Sequence, residues 1–195
     1  MRIINILGSP RPSGNGATIA QLLTNILESH HNEIITYELN KLVYRGCQAC
    51  MACKKSSETC VVKDDLTPIL KDIREADVVL LSTPIYFGEV TAQAKGLIDR
   101  LYSLFGADYR TNPHPSRLAK GKQLVLILPQ GNADESAFAD VGPRYERIFT
   151  RLGFDEIIPI RALGATMDCD VLSNESIVET VKKTASKLET TQSIR

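Results

Sequence analysis

The chain has 195 residues, 43% apolar and 24% charged, which suits one soluble globular domain with a sizeable core. Twenty-three basic residues balance twenty-three acidic ones, so no overall field draws the chain to nucleic acid or an anionic membrane. No apolar run approaches the length of a membrane span. The short apolar start, Met1 to Leu7, lacks the longer core and cleavage site of a secretory signal, and a cytoplasmic protein is expected.

Strand and helix patterns alternate along the chain. Ile3 to Leu7 is apolar and β-branched, and Ala17 to Glu28 follows as a helix with Ile19, Leu22, Leu23, Ile26 and Leu27 on one face. Glu33 to Leu39 reads as a weaker strand, and a cysteine-rich loop spans residues 46–62. Asp64-Asp65 starts a helix with Pro68 in its first turn. Asp77 to Ser82 is a third strand, and Thr91 to Phe105 is helical. Residues 106–120 are irregular. Gln123 to Leu128 is a fourth strand, followed by a helix marked by Phe138, Val141, Tyr145, Ile148, Phe149 and Leu152. Glu156 to Ile160 is a fifth strand, and a last helix runs to Leu188, with a polar tail expected to fray.

Five strands with short continuous apolar cores, each followed by a helix, imply an α/β three-layer sandwich with a parallel sheet covered on both faces. Right-handed crossovers favour the flavodoxin-like order 2-1-3-4-5. No repeat or linker divides the chain, so residues 1–195 are expected to form a single domain.

The loop after the first strand is Gly8-Ser9-Pro10-Arg11-Pro12-Ser13-Gly14-Asn15-Gly16-Ala17-Thr18. It opens a helix, where free amides and the helix dipole favour a phosphate. It is neither a Walker loop nor the dinucleotide fingerprint, because no Gly-Lys-Ser/Thr follows and Ile19 stands where a third glycine is needed. One terminal phosphate, as in FMN, fits that pattern. Two more loops end the third and fourth strands: Thr83-Pro84-Ile85-Tyr86-Phe87-Gly88-Glu89 and Pro129-Gln130-Gly131-Asn132-Ala133. All three converge on the crevice where open α/β sheets bind ligands. The aromatic pair Tyr86 and Phe87 suits stacking on a flat ring.

Gly-Ser-Pro-Arg with Gly-Asn, then Thr83-Pro84-Ile85-Tyr86-Phe87 and Lys95-Gly96-Leu97-Ile98-Asp99-Arg100, resembles the NAD(P)H-dependent FMN reductases. The resemblance implies an FMN-dependent oxidoreductase. Ser9, Arg11, Ser13, Asn15, Gly16, Ala17 and Thr18 would surround the phosphate. Pro84, Ile85, Tyr86, Phe87 and Gly88 would lie near the isoalloxazine, with Gln130, Gly131 and Asn132 at its other edge. Gly16 departs from the Ser or Thr usual there, so Thr18 or the backbone must compensate. Lys95, Asp99 and Arg100 are expected to serve structure or assembly.

Of five cysteines, four form the run Cys47-x2-Cys50-x2-Cys53-x6-Cys60. Closely spaced thiolates suit iron–sulfur clusters or zinc, and the two-residue gaps favour a cubane. No proline follows Cys60, so the ferredoxin motif is incomplete. Redox-active thiols, zinc and a disulfide stand as alternatives. The run with its flanks, through Cys60-Val-Val-Lys-Asp-Asp, resembles the iron-sulfur flavoproteins, which implies a [4Fe–4S] cluster held by Cys47, Cys50, Cys53 and Cys60 and exchanging electrons with FMN. Cys169 reads as a buried small residue. The expected protein is an FMN redox protein with a cluster. The alternatives are an NAD(P)H-dependent FMN or quinone reductase without a cluster, and a non-catalytic binding module. A small-molecule or protein donor and acceptor are the expected partners. A homodimer or homotetramer is expected too, with the exposed aromatics and residues 106–120 as candidate contacts.

Overall fold

The computed structural model describes residues 1–166 and 170–193, and Cys169 lies outside them. The strands and helices are β1 (Arg2–Leu7), α1 (Asn15–Glu28), β2 (Glu33–Glu38), α2 (Ala52–Lys55), α3 (Leu66–Glu75), β3 (Val78–Ser82), β4 (Ile85–Tyr86), β5 (Glu89–Val90), α4 (Ala92–Arg100), β6 (Gln123–Pro129), α5 (Val141–Leu152), β7 (Glu156–Ala162) and α6 (Glu175–Ser193). The main sheet has the order β2-β1-β3-β6-β7. Every pairing in it is parallel. This is the expected 2-1-3-4-5 order once the small β4–β5 hairpin is set aside.

Alternation along the strands builds two cores. Ile4, Ile6, Val79, Leu81, Leu124, Leu126 and Leu128 face α3, α4 and α5. Ile3, Val78, Leu80, Val125, Ile127 and Ile160 face α1 and α6. A period of two on strands buried on both sides yields this three-layer sandwich. The Asp64 carboxylate starts α3 by accepting the Leu66 amide at 3.1 Å.

Several boundaries differ from the sequence reading. The helix expected to run from Thr91 to Phe105 is α-helical only to Arg100, and Leu101–Leu104 tightens into a 3-10 turn. Distant cations claim its last carbonyls. Lys54 Nζ donates to Tyr102 O at 2.6 Å and Phe105 O at 2.8 Å, and Arg117 Nη1 donates to Ser103 O at 2.8 Å. Phe138 stands outside α5, with a left-handed φ of 59°. The tail does not fray after Leu188, because α6 continues to Ser193. The Thr190 and Thr191 hydroxyls there donate to the carbonyls four residues back, at 2.9 and 3.0 Å.

Candidate cofactor site

The carboxyl ends of β1, β3 and β6 meet at a narrow cleft of about 60 Å³. It is lined by Ser9, Arg11, Asn15 and Gly16 on one side, by Pro84, Ile85 and Tyr86 on another, and by Gln130 and Gly131 opposite. Nine of the expected residues therefore share one cleft, with Gly14, Pro129 and Ala165 added. Its volume is about two waters' share of liquid, on the scale of a phosphate, so a flavin ring would lie across its open mouth. Ser13, Ala17, Thr18, Phe87, Gly88 and Asn132 lie off this lining. A far larger cavity, about 660 Å³, opens at the opposite edge of the sheet around residues 112–120, so size does not single out the cleft.

The first helical hydrogen bond of α1 runs from Thr18 N to Gly14 O at 3.0 Å, which leaves the amides before it outside the helical ladder. The Thr18 hydroxyl turns to the same carbonyl at 3.3 Å and supplies nothing to the cleft. Gly16 explains its own departure from the family pattern. A Cβ there would stand 2.5 Å from Ser82 Oγ and 3.2 Å from Pro129 Cγ, so α1 packs on β3 and β6 only through a glycine. Ser82 Oγ and Asn15 Oδ1 are both buried with no hydrogen-bond partner. Such groups call for a ligand or a water. The Ser82 hydroxyl is a donor, and the Asn15 amide turned over presents its NH2, so both suit an anion.

Three residues that sequence reasoning missed hold the cleft together. Thr91 caps α4 by accepting from Ala94 N at 3.2 Å, and its hydroxyl donates to Gly8 O at 2.6 Å. Its own amide donates to the Thr83 hydroxyl at 3.1 Å. The ends of β1 and β3 and the start of α4 are thus tied at one buried point. On the far wall, Arg161 donates to Gln130 Oε1 from Nε at 3.1 Å and from Nη2 at 2.8 Å. The Gln130 amide turns into its own loop, donating to Asn132 O at 2.9 Å, and is not free for a ligand. A Ser or Thr before a helix is a readable capping signal for Thr91, whereas nothing local marks Arg161.

The hairpin β4–β5 carries Tyr86 and Phe87 at its tip. Phe87 and Gly88 have φ of 51° and 81°, the type I′ geometry that favours Asn-Gly. The Phe87 side chain is fully exposed.

The cysteine run forms a second site. Cys47, Cys50, Cys53 and Cys60 all line one cavity of about 220 Å³, walled by Tyr102 and Tyr109. None of the four is in a disulfide. Ala49 and Met51 both adopt left-handed φ, 51° and 58°, strain of the kind that concentrates at ligand sites. Among the described residues, no three His, Cys, Asp or Glu side chains are grouped closely enough for a single metal ion.

Cations hold the run in place. Arg117 Nη1 reaches Cys53 O at 3.1 Å and Glu58 O at 3.2 Å. Lys54 lies 4.1 Å over the Tyr102 ring. Burial pushes its ammonium pKa down, although Cys53 opposes this. Arg100 has a fully buried side chain and donates to Cys60 Sγ and Asp64 Oδ2. Burial alone would raise the Asp64 pKa, but hydrogen bonds from Arg100, Arg45 and Leu66 hold it below the usual carboxylate range. Lys95 and Asp99, by contrast, form an exposed pair at 2.5 Å. Residues 106–120 supply Tyr109, Arg110 and Arg117 to this site.

The family model described as NADPH-dependent FMN reductase matches residues 1–139. The chain belongs to this family. It is 34% identical over 141 residues to an iron-sulfur flavoprotein of Methanocaldococcus jannaschii, covering 72% of this chain and 69% of that one. A second iron-sulfur flavoprotein of that organism is 38% identical over 100 residues. There the chain spans about half the relative's length, the match covering 51% of each. The fold also matches the solved NAD(P)H:quinone oxidoreductase of Methanothermobacter marburgensis, with a TM-score of 0.74, 16% identity and 97% of both chains covered.

Proposed function

We propose that the chain is a cytoplasmic, FMN-dependent oxidoreductase, one flavodoxin-like unit over residues 1–195, that passes electrons from a reduced donor to a small acceptor. The observation that carries this reading is the cradle where Gly16 lies against Ser82, beside two buried oxygens without partners. The amides of Asn15, Gly16 and Ala17 would hold the phosphate with the side chains of Ser9, Arg11 and Asn15, while Ser13 and Thr18 shape the loop. The ring would lie along Pro84, Ile85 and Tyr86, beneath the Phe87–Gly88 turn, with Gln130, Gly131 and Asn132 opposite. FMN supplies the hydride and single-electron chemistry when bound. The chain's residues bind the anion, fix the ring's plane and shield one face of it from water. Titration with FMN and with riboflavin tests this: FMN binds one per chain and riboflavin much more weakly, whereas equal affinity defeats the phosphate assignment.

Cys47, Cys50, Cys53 and Cys60 are proposed to hold a [4Fe–4S] cluster, which supplies one-electron transfer when bound. Their shared cavity, its cationic setting and the iron-sulfur relatives support it. Anaerobic iron analysis tests it, with roughly four irons per chain expected. A second reading, an NAD(P)H-dependent FMN or quinone reductase without a cluster, is favoured by the family model described as NADPH-dependent FMN reductase. Stopped-flow bleaching of bound FMN by NADPH in iron-free protein supports that second reading. A homodimer or homotetramer is proposed on the exposure of Phe87, and sedimentation tests it.

A further inference from the structure

Arg100, expected from the sequence to serve structure or assembly, is a fully buried cation. Its Nε donates to Cys60 Sγ at 3.1 Å. Its Nη1 donates to Arg45 O and to Asp64 Oδ2, each at 2.9 Å, and its Nη2 to Val62 O at 3.0 Å. The guanidinium therefore clasps both ends of the cysteine run, before Cys47 and after Cys60, and spends one donor on a sulfur. Lys54 is likewise set against a sulfur of the run, that of Cys53.

A guanidinium is never deprotonated and its fork is rigid, so this donor is always present and always aimed. A hydrogen bond to a ligating sulfur withdraws electron density from it. It thereby stabilises the reduced state of a metal centre and fixes the sulfur's direction.

We propose that Arg100 is the positioning residue of the cysteine cavity: it holds the Cys60 sulfur toward Cys47, Cys50 and Cys53 and raises the reduction potential of the soft-metal centre bound there. The inference rests on reading the four cysteines as a metal site. It goes beyond that reading in assigning the potential to a residue on α4, outside the cysteine run.

The test uses the full-length protein and the variants R100K and R100Q. R100K keeps the charge beside Asp64 but loses the fork, and R100Q keeps a neutral donor. Circular dichroism and FMN titration confirm that each variant folds. After anaerobic loading with ferrous iron and sulfide, the midpoint potential of the centre is read by redox titration followed by EPR. In R100Q, which loses the charge, the expected result is wild-type iron content with a clearly more negative potential, and in R100K, which keeps the charge but not the fork, an intermediate shift. Unchanged potentials in both variants overturn the assignment while leaving the cluster reading intact.

If the wild type takes up no iron, the cluster reading falls and cobalt(II) serves as the probe of the thiols. The thiolate-to-cobalt absorbance then decides. A thiolate-to-cobalt band that is shifted or weakened in R100K and R100Q, and weaker still in C60S, supports Arg100 as the residue that places Cys60, and a band unchanged in both Arg100 variants overturns it. A wild type that binds neither metal overturns both readings.

Discussion

Gly16 and Ser82 are in such close contact that a single methyl group on Gly16 would sit 2.5 Å from the Ser82 hydroxyl. G16A is expected to lose about 1–3 kcal/mol of stability through this overpacking and at least about tenfold in FMN affinity (about 1.4 kcal/mol). S82A alone, which deletes an oxygen without a protein partner, changes stability little. The double variant recovers most of the stability lost by G16A. Thermal melts and flavin fluorescence titrations of the four proteins complete the cycle, and simple additivity of the two changes would rule out the contact as the cause.

Thr91 joins three chain segments through one hydroxyl. T91A is expected to cost roughly 1–2 kcal/mol as a lost cap, with weaker FMN binding because the Gly8 carbonyl loses its donor while only its amide stays tied, to Ser82 O. T91S, which keeps the oxygen, recovers most of both. Urea unfolding and FMN titration give the comparison.

Arg161 acts on the cleft through Gln130. R161M leaves Gln130 Oε1 without its two donors, so the amides of residues 130–138 exchange faster with solvent and FMN binds less tightly. Hydrogen exchange confined to that loop distinguishes this from global loosening.

Asp64 gives the molecule an acid-sensitive stability. Its folded pKa lies below the unfolded value, about 3.9. The stabilisation is thus complete above that value and disappears as pH falls through the folded one. The difference in melting temperature between wild type and D64N is therefore constant above about pH 5 and shrinks below about pH 4. A difference that stays constant down to pH 3 contradicts the role given to Asp64.

Phe87 combines full exposure with a left-handed backbone. F87N, which suits that turn position, is expected to stabilise the protein by about 1 kcal/mol. If the ring attends the flavin or a neighbouring subunit, turnover or the association constant falls at the same time. Melting and steady-state assays on one preparation read both.

The parts of this architecture that can be read from residues are those governed by short periods. Val78 to Leu81 and Leu124 to Leu128 are apolar without interruption, and their burial follows. The loop after β1 is legible as a candidate anion cradle for a similar reason, since glycines and hydroxyls at a helix start have local meaning. The β4–β5 hairpin was not legible, because two-residue strands have no period to detect. Nor was the end of α4 at Arg100, where Lys54 and Arg117 act from far away in sequence. Arg100 looked structural from its motif. Its link to Cys60 spans forty positions and appears only when α4 is folded against the cysteine run.

The clasp of Arg100 on Arg45, Val62 and Asp64, together with Arg117 on the carbonyls of Cys53 and Glu58, has a consequence for biogenesis. Zinc fingers acquire their shape from their ion, and chelators undo them. Here protein-to-protein bonds already set the path of the thiol-bearing loop. On the proposed reading of the cysteines, maturation can follow folding, and a centre lost to oxygen would leave behind a vessel ready to be refilled.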